Sequence, residues 1–159
     1  MDLAKPLVVI GLGNELRRDD AVGVVLVRML AESTSPCENV EIVDGGTGGV
    51  NLIHRLEGAK RLLIVDAAEM GIEPGQFRFF SPEEVKNAAP AKVSLSLHET
   101  DFMGILDILK RLGSQPEVVR IFGIQPKDVS YGIGFSDEIK TALCGLLENL
   151  HKGLDEFSK

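Results

Sequence analysis

Apolar residues along this chain gather in two kinds of pattern. Four short runs, Leu7 to Leu12, Val40 to Val43, Leu62 to Val65 and Val118 to Phe122, are rich in Val, Ile and Leu and lack polar alternation. Strands covered on both faces read this way. Between the runs the spacing becomes helical. Asp20 to Leu30 is apolar on nearly every side and predicts a helix well buried against a sheet, and Val50 to Leu56 predicts a shorter one. Phe102, Ile105, Leu106, Leu109 and Leu112 form one stripe at helical spacing, and Ile139, Leu143, Leu146, Leu147 and Leu150 form another. Gly75 to Phe80, GQFRFF, predicts a further strand, antiparallel at a sheet edge. Ala88 to Ala91 and Gly132 to Gly134 read as loops. This alternation predicts an α/β fold: three layers, α/β/α, around an open, mostly parallel twisted sheet with one antiparallel edge strand.

Size and charge narrow the class of function. A chain of 159 residues, 44% hydrophobic, holds one good core, so a single domain over 1–159 is expected. The net charge of −7 and the lack of any basic run argue against nucleic acid as a partner. Cys37 and Cys144 stand far apart in no metal-binding spacing, which fits a reducing compartment. The opening MDLAKPLVVIGLGN has too short an apolar run for a secretory signal, and nothing approaches the roughly 20 apolar residues of a membrane span. A cytoplasmic protein without membrane insertion is expected, with a monomer as the default.

Ligands of open parallel sheets collect beyond the carboxyl ends of the strands. Three segments reach that rim: Gly11 to Asp20, DGGTGG from Asp44 to Gly49, and DAAEMG from Asp66 to Gly71. Gly11-Leu12-Gly13 opens a dinucleotide-binding pattern, with Asp44 as its ribose acid. Its third glycine is missing, because position 16 is Leu16, and Asp19 and Asp20 at a helix start would oppose a phosphate. Helix capping accounts for one of the two aspartates and not for both, since one side chain occupies the cap and its neighbour points elsewhere. Asp66 reads equally as the loop-starting aspartate after a buried strand or as a rim ligand. His54 and His151 fall in helices as solvated residues, whereas His98, in SLSLHETD, precedes a helix that begins near Thr100 or Asp101. Two rim carboxylates and one histidine make a mixed oxygen and nitrogen set suited to a divalent transition metal.

These segments resemble the hydrogenase maturation endopeptidases. The likeness rests on GLGNELRRDDAVG, VDGGTGG, LLIVDAAEMG with the following PGQFRFF, the histidine of SLSLHETD, and FGIQP from Phe122 to Pro126, in this order along nearly the whole chain. It implies a cytoplasmic protease that removes a carboxy-terminal extension from the precursor of a nickel-iron hydrogenase large subunit after nickel insertion. The family's metal-contacting, catalytic trio carries over to Asp20, Asp66 and His98, with the nickel supplied by the precursor. Asp19 is then the helix cap, and Asp20 turns its carboxylate to the rim. Glu15 does not match the family's ligand position. Asp44 is placed as an acid that supports the ligands or orients substrate. One departure is HETD, whose Glu99 and Asp101 follow the histidine more acidically than the family pattern. Neither HExxH nor GxSxG occurs, so a conventional zinc protease or serine hydrolase lacks its motif. Two other classes stay open: a nickel-sensing assembly factor without proteolytic activity, and a nucleotide-binding domain built on Gly11, Gly13 and Asp44.

Overall fold

A computed structural model describes residues 5–35, 39–87, 94–95 and 99–158. Its sheet has the order β2-β1-β3-β6-β4, with β1 Lys5–Leu12, β2 Val40–Gly46, β3 Ala59–Glu69, β4 Phe77–Phe80 and β6 Val118–Ile124. The pairs β1–β2, β1–β3 and β3–β6 are parallel, and β4 runs antiparallel along β6. The expected GQFRFF edge strand is therefore β4. A two-residue strand, β5 Ser94–Leu95, pairs antiparallel with Ala68 and Glu69 near the end of β3.

Helices cover both faces, as the uninterrupted apolar runs of the strands require. On one face α1 (Val22–Ser33) and α5 (Asp137–Ser158) bury Leu26, Leu30, Ile139, Leu146 and Leu150 against Val9, Leu63 and Val65. On the other, α2 (Ile53–Leu56) and α4 (Glu99–Arg111) bury Leu56, Phe102, Ile105 and Leu109 against Val8, Ile10, Leu62 and Ile64. Odd and even positions of β1 and β3 thus feed separate cores, the period-two rule applied to a strand buried on both sides. Leu112 departs from its expected stripe: it lies past the end of α4 and is exposed. The second stripe continues further than expected, to Leu154 and Phe157.

A short helix α3, Pro82–Asn87, lies where the apolar pattern gave no sign of one. Its start is written in polar residues instead. The Ser81 Oγ accepts the Glu84 N–H at 3.3 Å, the Glu84 carboxylate accepts the Ser81 N–H at 2.7 Å, and Pro82 fills the first helical position. This is a reciprocal capping box.

The largest revisions fall at the carboxyl rim. The segment DAAEMG was expected to leave the sheet at Asp66, yet β3 runs on to Glu69, because Asp66 and Ala67 still pair with Gly123 and Ile124 of β6. Asp66 is a strand residue one step beyond the last β1–β3 pair, Gly11 with Val65, and not the start of a loop. Likewise β2 includes Asp44, Gly45 and Gly46, with a register shift opposite Gly11 and Leu12. The helix expected from Asp20 begins at Val22 and is preceded by a 3-10 turn, Arg18–Ala21. The Val50–Leu56 helix is similarly divided, with a 3-10 turn over Val50–Leu52 before α2. The expected Ala88–Ala91 loop lies outside the described residues.

Candidate active site

Helix α1 and the 3-10 turn before it lie so close on the sheet and the first rim loop that two contacts admit no side chain. A Cβ at Gly23 would stand 2.2 Å from the Val65 carbonyl oxygen and 2.5 Å from that of Leu12. A Cβ at Gly13, whose φ is +147°, would stand 2.0 Å from the carbonyl oxygen of Asp20. The glycines of GLGNELRRDDAVG serve this close approach. The chain's own turn fills the space over Gly13, which weighs against the dinucleotide pattern, where that glycine admits a pyrophosphate. The turn Arg18–Ala21 is thereby pressed against the end of β3, the strand that carries Asp66.

Asp20 is buried within this turn, and its Oδ2 accepts the Asn14 N–H at 2.9 Å. Asn14 in turn holds the loop by accepting the Leu16 N–H on its Oδ1 at 2.9 Å. Burial raises the Asp20 carboxyl above its ordinary value, opposed by the Asn14 hydrogen bond and the nearby Arg17 charge. Asp66 is fully buried at the adjoining strand end. By strand alternation it falls on the same side as Ile64 and Ala68, the side that α4 covers. His98 lies outside the described residues, so the structure brings together the segments bearing Asp20 and Asp66 and does not place the third member of the trio.

Asp44 is engaged differently. It is exposed, and Arg28 of α1 reaches it through Nε at 2.8 Å and through a terminal nitrogen at 2.7 Å. The same guanidinium bonds Glu15, so one cation ties the first and second rim loops together. The Gly46 N–H also donates to Asp44 Oδ1 at 3.1 Å. Exposed pairs of this kind contribute little stability and fix orientation more than energy.

Asp19 requires a correction. It does not cap α1, whose N-terminus has no side-chain cap, nor the 3-10 turn. Its carboxylate is fully buried and turned to the loop between β6 and α5. There Oδ2 accepts the N–H groups of Lys127 at 2.9 Å and Asp128 at 3.0 Å and the Ser136 hydroxyl at 2.8 Å, while Oδ1 accepts the Ser136 N–H at 2.8 Å. Gln125 is a second residue that sequence reasoning left without a task. Buried beyond the end of β6, it accepts the Met70 N–H at 2.7 Å and donates to Glu69 at 2.8 Å, joining the ends of β3 and β6. A polar residue between a buried strand and Pro126 was the available signal for it.

Asp19, Asp20, Asp66 and Gln125 are the buried polar or charged residues among those described, and all four stand at this one rim. No group of three His, Cys, Asp or Glu residues forms a metal cage among the described residues. Two carboxylates held in a low-dielectric rim offer oxygen ligands to a cation, or a proton acceptor to a reacting group.

The fold and several sequences match proteins of one kind. The family model described as hydrogenase maturation protease matches residues 24–152. The hydrogenase expression/formation protein HoxM of Cupriavidus necator is 36% identical over 150 residues, which span 94% of this chain and 72% of HoxM. The hydrogenase 2 maturation protease of Escherichia coli is 29% identical, across 94% of this chain and 91% of its own. The solved structure of the E. coli hydrogenase maturating endopeptidase HybD superposes with a TM-score of 0.80 at 26% identity, covering 95% of this chain and 93% of that one. With its parallel sheet, its glycine-packed first turn and these relatives, the chain belongs to the hydrogenase maturation protease family and is an endopeptidase of that family.

Proposed function

We propose that this endopeptidase removes the carboxy-terminal extension of a nickel-iron hydrogenase large-subunit precursor after nickel insertion, and that it reads the nickel already held by the precursor. The observation that carries the reading is the gathering of buried carboxylates, Asp20 and Asp66, at the carboxyl ends of β1 and β3. Taking carboxylates out of water is costly, and a chain that gathers them at one rim offers a site for charge that arrives with a ligand. A nickel ion bound by substrate thiolates accepts further oxygen and nitrogen ligands, and Asp20, Asp66 and His98 supply that set. An unloaded precursor lacks the ion and loses the anchor, so recognition doubles as proofreading. Asp44, oriented by Arg28, stands on the neighbouring strand end as a group that orients the tail.

In this reading Asp20 and Asp66 hold the loaded centre so that the scissile carbonyl, or an attacking water, lies against it, and a rim carboxylate takes up the proton. The Asn14 N–H and the Arg17 charge favour the anionic, ligating form of Asp20 against the effect of burial. In this reading the protein works in the cytoplasm and as a monomer. No helix among the described residues is long and apolar enough to cross a membrane.

The test is the mass of a nickel-loaded precursor before and after incubation with the protein, beside a nickel-free precursor and the Asp20→Asn variant. Loss of a carboxy-terminal peptide is expected only from the loaded precursor with the unmutated enzyme, and the variant should be slower by about 10²–10⁴-fold. Binding without cleavage of a cognate loaded precursor would assign the chain to assembly without proteolysis.

A further inference from the structure

The proposed chemistry uses Asp20 and leaves Asp19, a fully buried carboxylate one residue away, without a task. Four donors converge on it: the N–H groups of Lys127, Asp128 and Ser136 and the Ser136 hydroxyl, all within 3.0 Å. A carboxylate suits this position because both of its oxygens accept and neither donates. An amide of the same shape would turn its NH₂ toward at least one of those donors.

The bonds around Asp19 run in both directions. Its own N–H donates to the Asp128 carbonyl at 3.0 Å, the Arg18 N–H donates to Gly132 at 3.0 Å, and the Gly132 N–H returns to Leu16 at 2.8 Å. Arg17 adds a bond from Nε to the Val129 carbonyl at 3.0 Å. The 3-10 turn that carries Asp20, with the residues just before it, is thus tied to the loop of residues 127–136 by bonds in both directions. Arg18 is held at φ +43°, in the left-handed region, within this set of bonds. Such a conformation persists only where its surroundings over-determine it. Asp20 is set by what fixes its peptide neighbours, and Asp19 is the neighbour with the most bonds.

We propose that Asp19 is a positioning residue: by gathering the loop of residues 127–136 onto the 3-10 turn, it fixes where the Asp20 carboxylate stands at the rim. This rests on the reading that Asp20 works in cleavage. The role is distinct from helix capping, because the bonds of Asp19 go to a loop more than a hundred residues away in sequence.

Three variants test it: Asp19→Asn, Ser136→Ala, which removes one of the four donors, and Leu154→Ala, which loosens the core at the opposite end of α5. Each is compared with the unmutated protein for kcat and KM on nickel-loaded precursor, well below every Tm. Hydrogen exchange of the Asn14 amide, the donor to Asp20, is followed by ¹⁵N NMR. For Asp19→Asn, kcat should fall by about thirtyfold to a hundredfold while KM stays within about threefold. The Asn14 amide should exchange at least about tenfold faster. Ser136→Ala should move both in the same direction by about threefold to tenfold, and it decides the matter if Asp19→Asn does not fold. Leu154→Ala should lower Tm and leave kcat unchanged. The proposal is overturned if Asp19→Asn, or Ser136→Ala in its place, keeps kcat and Asn14 exchange near those of the unmutated protein, or if losses merely follow Tm as in Leu154→Ala. An inert unmutated enzyme overturns the functional reading instead, and Asn14 exchange then still judges Asp19.

Discussion

The two ends of the sheet differ in what they hold. At the amino end of β6, beside α4, lies a cleft of about 570 Å³, bordered by Phe80, Glu83, Leu106, Lys110, Val119 and Arg120. Its charged groups are exposed and solvated. At the carboxyl end, among the described residues, Asp19, Asp20, Asp66 and Gln125 are all buried. Water fills a cleft at little cost, whereas a desolvated carboxylate is retained only where hydrogen bonds or a ligand compensate for it. The site proposed at the rim therefore rests on burial of charge and not on a hollow.

Three experiments break or sharpen this contrast. The largest effect is expected at the rim's framework. Gly13→Ala forces a Cβ against the Asp20 carbonyl oxygen at a φ of +147°, so it should destabilise the fold by about 3 kcal/mol, read as a lower urea midpoint at unchanged m. A midpoint equal to that of the unmutated protein would mean that the turn is not held against the sheet.

A smaller effect of opposite sign is expected from Asp20→Asn. Burial raises the Asp20 carboxyl in the folded state, so between its ordinary value and the raised one the folded protein binds more protons than the unfolded chain. The resulting penalty grows as pH rises through that window, is fully present above it, and is relieved as pH falls. Asp20→Asn should accordingly melt slightly higher than the unmutated protein at neutral pH, and the gap should close in acid. Calorimetry at neutral and acidic pH decides this, and a variant that melts lower at neutral pH counts against the desolvation account. On the proposed reading the same substitution should also slow cleavage, so that Asp20 would trade stability for function.

The smallest effect is expected at the cleft. Lys110→Ala combined with Arg120→Ala should leave precursor cleavage within about twofold and stability within about 1 kcal/mol, since both groups are solvated. A large loss of cleavage would return the cleft to consideration as part of the client surface.

Much of the fold was legible because strand and helix periodicity follow from which positions must be apolar. The runs at Leu7 and Leu62 are buried strands, whereas the run from Val118 forms a strand that is buried only from Ile121 on, with Val118 and Arg120 exposed; Phe102, Ile105, Ile139 and Leu146 face the core as their spacing implies. What periodicity missed was written in another chemistry. Helix α3 is announced by Ser81, Pro82 and Glu84, a capping signal without an apolar stripe. The extension of β3 through Asp66 depends on hydrogen bonds from β6, more than fifty residues further on, which no local pattern around Asp66 encodes.

The sequence by itself determined the layers, the carboxyl rim and the candidate acids, because apolar spacing sets which faces are buried and a parallel sheet presents one functional end. It also carried the family resemblance, through short motifs in a fixed order. Tertiary structure decided how two adjacent aspartates divide their duties. Local preference made Asp19 a helix cap, but its carboxylate found four donors on a distant loop, and Asp20 was left buried beside the end of β3. Side chains one residue apart obey the same local rules, so only the long-range partners that folding brings to each of them separate their roles.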